Sequence, residues 1–209
     1  PIVRYHDVDQ QLSRRFQSRR KFSQGVERFL IGLAKKVILA NSFAVIADAA
    51  FTADPGSLST SQAWLGIVFY GLQIYYDFAG YSDMAIGLGR MLGFHFLENF
   101  NFPYISTSIR EFWRRWHISL SNWFRDYLYI PLGGNKKGPF RTYFNLFVVF
   151  FLTGLWHGAG MNFILWGLIH GSFMIVERLG FGKVLKRIPV IFSNAYVVLI
   201  VLVAWVPFR

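Results

Sequence analysis

Residues 142–176 contain no Asp, Glu, Lys or Arg, yet W-H-G-A-G at 156–160 places an imidazole, His157, near the midpoint of that run. A polar side chain at membrane depth costs roughly 2 kcal/mol or more unless it is paired or lines a cavity, so an ionisable residue there is a functional candidate. Imidazole titrates near pH 6.5 and burial disfavours its charged form, so a neutral His157 suits general-base work on a hydroxyl proton. The competing reading is a packed, hydrogen-bonded core histidine. A second imidazole, His117, lies in F-W-R-R-W-H-I-S-L-S at 112–121. Depending on its tautomer it can orient an acceptor or polarise a carbonyl, and its bland reading is an interfacial histidine.

Other constellations are absent. There is no G-x-S-x-G elbow, no H-E-x-x-H and no phosphate loop, which weakens hydrolase and nucleotidase readings. Gly87, Gly89 and Gly93 miss the dinucleotide spacing by one residue and fit helix packing better, and His95 with Glu98 lacks a third metal ligand. With zero cysteines, disulfides, thiolate catalysis and cysteine zinc sites are excluded. His6 and His170 read as surface and packing residues.

The elements that must position these groups belong in lipid. The chain is 54% hydrophobic, 19% aromatic and only 16% charged, with mean hydropathy +0.34. Its formal charge of +11 sits in short clusters between apolar spans, as in cytoplasmic loops facing anionic lipid, so lipid and not nucleic acid is the expected partner. Residues 1–28 read as a basic cytoplasmic arm. A span follows over 37–53, with Lys35 and Lys36 snorkelling to the interface; 54–61 is an external loop, and the chain returns through 62–76. Asp77, Asp83 and Arg90 are too polar to face lipid and are expected to pair inside a bundle, while Gly89-x-x-x-Gly93 permits close helix approach.

Ser108 and Glu111 form a capping-box pattern that predicts a helix from about Ile109 to Asp126. Phe112, Trp113, Trp116, Leu120, Trp123 and Phe124 share one face beside an Arg110, Arg114, Ser121 and Arg125 stripe, which suits an interfacial helix. Region 109–141 is thus a cytoplasmic helix and loop. Basic residues flank 142–176 on both sides, so this segment must enter and return as a short buried hairpin with His157 near its apex. Residues 190–208 supply a last span. The fold expected is all-α: a polytopic transmembrane helical bundle with interfacial amphipathic helices, read as a single integral-membrane region over 1–209 and as an internal fragment.

The chain resembles the membrane-bound O-acyltransferase family, in its bacterial alginate O-acetyltransferase branch. The resemblance rests on ordered blocks: G-L-A-K-K-V-I-L-A-N (32–41), Y-Y-D-F-A-G-Y-S-D-M-A-I-G-L-G (75–89), N-F-N-F-P-Y (99–104), F-W-R-R-W-H-I-S-L-S (112–121), Y-I-P-L-G-G-N (129–135) and L-W-H-G-A-G (155–160). It implies a fragment of a larger fold, lacking the first and last helices, with His157 as the essential histidine and His117 as the second position. Trp156, Arg114 and Arg115 are the candidate substrate contacts; the two arginines, with Lys136 and Lys137, can hold donor phosphates or meet lipid headgroups. The implied activity moves acetyl from a cytoplasmic thioester, acetyl-CoA, toward an extracytoplasmic polysaccharide. It implies no bound cofactor, a periplasmic or membrane-anchored acetyl-accepting protein, and a multi-pass place in the bacterial inner membrane. Two alternatives stay open: a non-enzymatic transport or scaffold subunit using the buried histidines, Asp77 and Asp83, and transfer of D-alanyl groups to a cell-wall polymer.

Overall fold

In a computed structural model describing residues 1–209, helices make up the fold and no β-strand forms. Packing divides the chain into two units, residues 1–99 and 100–209. Three helical stretches are long and apolar enough to cross a membrane: Arg19–Thr52, Met161–Leu185 and Val190–Phe208.

In the first unit, α1 (Tyr5–Ser13) is followed by α2 (Arg19–Ala34), which starts where the Ser18 hydroxyl accepts the Lys21 backbone N–H at 3.1 Å. A π-helical turn, Lys35–Ala40, carries α2 into α3 (Asn41–Thr52). After the loop, Ser59 and Gln62 form a reciprocal capping box that opens α4 (Thr60–Met91). The backbones of α2 and α4 touch. A Cβ on Gly32 would lie 2.6 Å from the Gly80 carbonyl oxygen, and one on Gly87 would lie 2.7 Å from that of Gly25. Small residues at these crossings let the helices approach closely. Gly89 and Gly93, expected to serve that purpose, do not: Gly89 backs onto the Phe96 ring, and Gly93, at φ +85°, ends the helix.

Several expectations for this unit need correcting. Residues 19–28, within the segment read as a basic arm, are helical; Gly25 is buried against α4, and α4 supplies countercharge for Arg28. Its guanidinium meets Asp83 at 2.6 Å and Glu98 at 2.5 Å. Lys35 does not simply snorkel; its ammonium lies 2.6 Å from the other Asp83 oxygen, and Lys36 pairs with Asp77. The acids on α4 are thus paired with α2 and its π-helical turn, not with Arg90.

The second unit holds α5 (Ile109–Arg115), α6 (Ile118–Phe124), α7 (Gly138–His157), α8 (Met161–Val176), α9 (Gly182–Leu185) and α10 (Val190–Phe208). The continuous helix expected over 109–126 breaks at His117, whose φ of 43° and ψ of 54° are left-handed. The aromatic face nevertheless forms: Phe112, Trp113, Trp116, Leu120 and Phe124 are buried, in the core of the unit itself, while Trp123 stays partly exposed. The hairpin at 142–176 is α7 and α8 around a turn at 158–160, and α7 alone is 20 residues long. Its two limbs are in backbone contact, since a Cβ on Gly167 would sit 2.3 Å from the Phe150 carbonyl oxygen. Gly167→Ala must therefore push the limbs apart. An overpacking cost of about 1–3 kcal/mol is expected, read as a lower thermal midpoint in detergent.

Candidate active site

Glu111 and Glu177 fix the element that carries His117. The Ser108 hydroxyl accepts the Glu111 backbone N–H at 3.0 Å, while the Glu111 carboxylate accepts Thr107 N–H at 2.9 Å and Arg115 Nε–H at 2.9 Å. From α8's end, the buried Glu177 carboxylate accepts Ile109 N–H at 2.6 Å and Arg110 N–H at 3.2 Å. These bonds satisfy N–H groups that a helix start leaves without intrahelical partners, and a negative charge there complements the helix dipole. Arg115 also donates to the Asn101 carbonyl at 3.1 Å, so it ties α5 to the preceding loop. Its guanidinium is thus held by Glu111 and by the loop before α5. Arg114 instead lines a cavity of about 340 Å³ with Arg110, Trp113, Arg125 and Arg178.

Trp116 donates its backbone N–H to Phe112 and closes α5, after which the left-handed His117 redirects the chain into α6. His117 is 4% exposed, with Nδ1 at 3.4 Å from the Ser119 hydroxyl. Burial pushes its imidazole down to about 3, and neighbouring His157 acts in the same direction. The sign of the linkage follows: from pH 6.5 down toward 3 the unfolded chain takes up a proton that folded His117 refuses, so stability is full above 6.5 and is lost as pH falls through that window. His117→Asn should flatten the acid limb of a stability-versus-pH curve by about 1.4 kcal/mol per pH unit between those limits. An unchanged limb in chemical denaturation would contradict a buried neutral ring.

His157 is the last residue of α7, set at the mouth of the turn by Gly158 and Gly160. Its ring stands edge-on to three aromatics, with centroids 4.8 Å from Trp156, 4.9 Å from Trp166 and 5.0 Å from Phe208. It is half-buried and forms no hydrogen bond or ion pair with another side chain, so its nitrogens remain available to a substrate. Trp156 neighbours both imidazoles, its ring centroid 6.3 Å from that of His117 and 4.8 Å from that of His157. The fold thus gathers His117, Trp156 and His157 into one cluster, whereas Arg114 lines the cavity and Arg115 is bonded to Glu111 and the Asn101 carbonyl. The packing role of Phe208 and Trp166 at His157 has no local sequence mark. Glu177 did have one: it is the first charged residue after the uncharged run, at the end of α8. No three His, Asp or Glu side chains converge as a metal-binding group.

The membrane-bound O-acyltransferase family profile matches residues 1–206. The chain belongs to that family. It is 53% identical over its whole length to a "Probable alginate O-acetylase AlgI" of Pseudomonas putida, covering 43% of that relative. It is 45% identical over 85% of its length to the peptidoglycan O-acetyltransferase of Helicobacter pylori, covering 34% of it. Similarity to the teichoic acid D-alanyltransferase of Bacillus subtilis is 32% over 86% of the chain and 47% of the relative. The chain therefore spans less than half the length of these relatives.

Proposed function

We propose that this chain is the histidine-bearing part of a membrane O-acyltransferase that moves acetyl from a cytoplasmic thioester, acetyl-CoA, toward hydroxyls of an extracytoplasmic, alginate-type polysaccharide. The observation that carries the reading is the His157–Trp156–His117 cluster, with the His157 nitrogens uncommitted, in a chain 53% identical to a probable alginate O-acetylase. His157 accepts the proton as the hydroxyl oxygen attacks the thioester carbonyl. The carbonyl carbon becomes tetrahedral, the C–S bond breaks, and the proton passes to the leaving thiolate. His117, neutral at physiological pH, orients the acceptor or donates to the carbonyl oxygen, and Trp156 with Phe208 screens the reacting bond from water. A cytoplasmic donor and an outer acceptor call for a periplasmic or membrane-anchored protein that takes the acetyl group onward, and the bacterial inner membrane is the fitting place.

Transfer of D-alanyl groups is the second reading, supported by the 32% identity to a D-alanyltransferase, and acetyl is favoured by the higher identity to both acetyl-transferring relatives. A proton-relay transport role loses support because Asp77 and Asp83, which it would use, are held in ion pairs. Proteoliposomes of the full-length protein, given acetyl-CoA labelled in the acetyl group or a D-alanyl thioester in parallel, test the proposal. Label should leave the acetyl thioester. Consumption of only the D-alanyl donor, or of neither, would reject the acetyl assignment.

A further inference from the structure

A cleft apart from the histidine cluster opens between α5 and the segment joining α8 to α10. Its volume is about 490 Å³, and Arg110, Arg178, Lys183 and Lys186 line it. Glu177 is its one acidic lining residue, against four cations. That carboxylate is already engaged with the Ile109 and Arg110 backbone N–H groups, so it satisfies the start of α5 and leaves the cleft an excess of positive charge. Arg178, Lys183 and Lys186 make no ion pair with any carboxylate of the chain. Gly180, at φ +140°, kinks the chain between α8 and α9, and this bend lets residues on both sides of it line one hollow.

Exposed apolar residues flank the lining ones in sequence: Leu179 and Val184, next to Arg178 and Lys183, are 65% and 48% exposed, and Val190 and Ile191, which follow at the start of α10, are 70% and 69% exposed. Part of the lining comes from the end of one candidate span, which stops at Leu185, and the next candidate span begins at Val190, so cations and exposed apolar side chains follow one another along the segment that joins two stretches fit to cross a bilayer. A soluble phosphate would use only the lining. A ligand joining a phosphate to hydrocarbon would use both, and basic pockets between membrane helices take acidic headgroups in this manner.

We propose that this cleft binds one anionic phospholipid, its phosphate between Arg178, Lys183 and Lys186 and its acyl chains along Leu179, Val184 and the first turn of α10. The site is independent of which acyl group the histidine cluster transfers. The shared chemistry is that of an anionic phosphate group, which a headgroup or a soluble phosphate can supply.

Native mass spectrometry of the full-length protein in detergent, with phosphatidylglycerol and phosphatidylcholine added at equal concentration, tests it. One phosphatidylglycerol should be retained preferentially. Lys183→Gln and Lys186→Gln, both exposed and therefore harmless to the core, should each lower retention several-fold and together about tenfold; Arg187→Gln, outside the cleft, should leave it unchanged. Equal retention of the two lipids by the unaltered protein, or full retention by the double variant, overturns the proposal. Displacement of phosphatidylglycerol by millimolar inorganic phosphate or adenosine 3′,5′-bisphosphate would assign the cleft to a soluble phosphate and overturn the lipid assignment.

Discussion

His157→Ala is expected to lower kcat for acetyl transfer by about 10² to 10⁴, the range for losing a positioned general base. Each factor of ten is about 1.36 kcal/mol of barrier, so the loss corresponds to roughly 3–5 kcal/mol. The ring also fills space among Trp156, Trp166 and Phe208, so Ala leaves a gap there as well as removing a base. Two measurements separate these effects. His157→Gln fills most of the gap without supplying a base of useful pKa, and it should be nearly as slow as Ala. The donor KM should move little in both, because the proton transfer belongs to the transition state. A rate within threefold of the unaltered protein, at matched folded yield in proteoliposomes, would exclude His157 as the base.

Asp83→Ala is expected to be the most damaging single change to stability. Asp83 is 5% exposed and is shared by two cations, Arg28 at 2.6 Å and Lys35 at 2.6 Å. Removing it leaves two like charges facing each other without their common anion, although Arg28 keeps Glu98. Breaking a buried pair in this way costs about 3–5 kcal/mol, far more than a surface ion pair contributes. The cost comes from the stranded cations, so a second change should recover part of it. Asp83→Ala combined with Lys35→Met is expected to be more stable than Asp83→Ala alone. A single-variant loss below about 1 kcal/mol in chemical denaturation, on the scale of an exposed pair, would mean that water reaches the cluster freely.

The hairpin that carries His157 was legible because an uncharged run bounded by basic residues can only go in and come back. The start of α5 was legible too, since Ser108 and Glu111 stand at capping distance. The capping acid acts one residue further out than the pattern suggests, on Thr107, and Glu177 takes the first N–H groups of α5. What local pattern could not supply was pairing at long range. Nothing in the α4 segment says whether Asp83 meets Arg90 on its own helix or Arg28 on another; the crossing of α2 and α4 at Gly25 and Gly32 decides that. The break at His117 was hidden for a different reason. Trp116, Leu120 and Phe124 keep helical spacing across it, so periodicity reads straight through a residue whose backbone has left the helix.

That same backbone turn narrows what evolution or an experimenter can place at position 117. A left-handed φ is several-fold commoner for His, Asn and Asp than for other side chains and is an outlier for β-branched ones. Val or Ile there would misdirect α6 whatever their chemistry, whereas Asn preserves the corner while deleting the imidazole. Position 117 therefore admits a short alphabet set by stereochemistry first, and any comparison of substitutions at it will report on reactivity only within that alphabet.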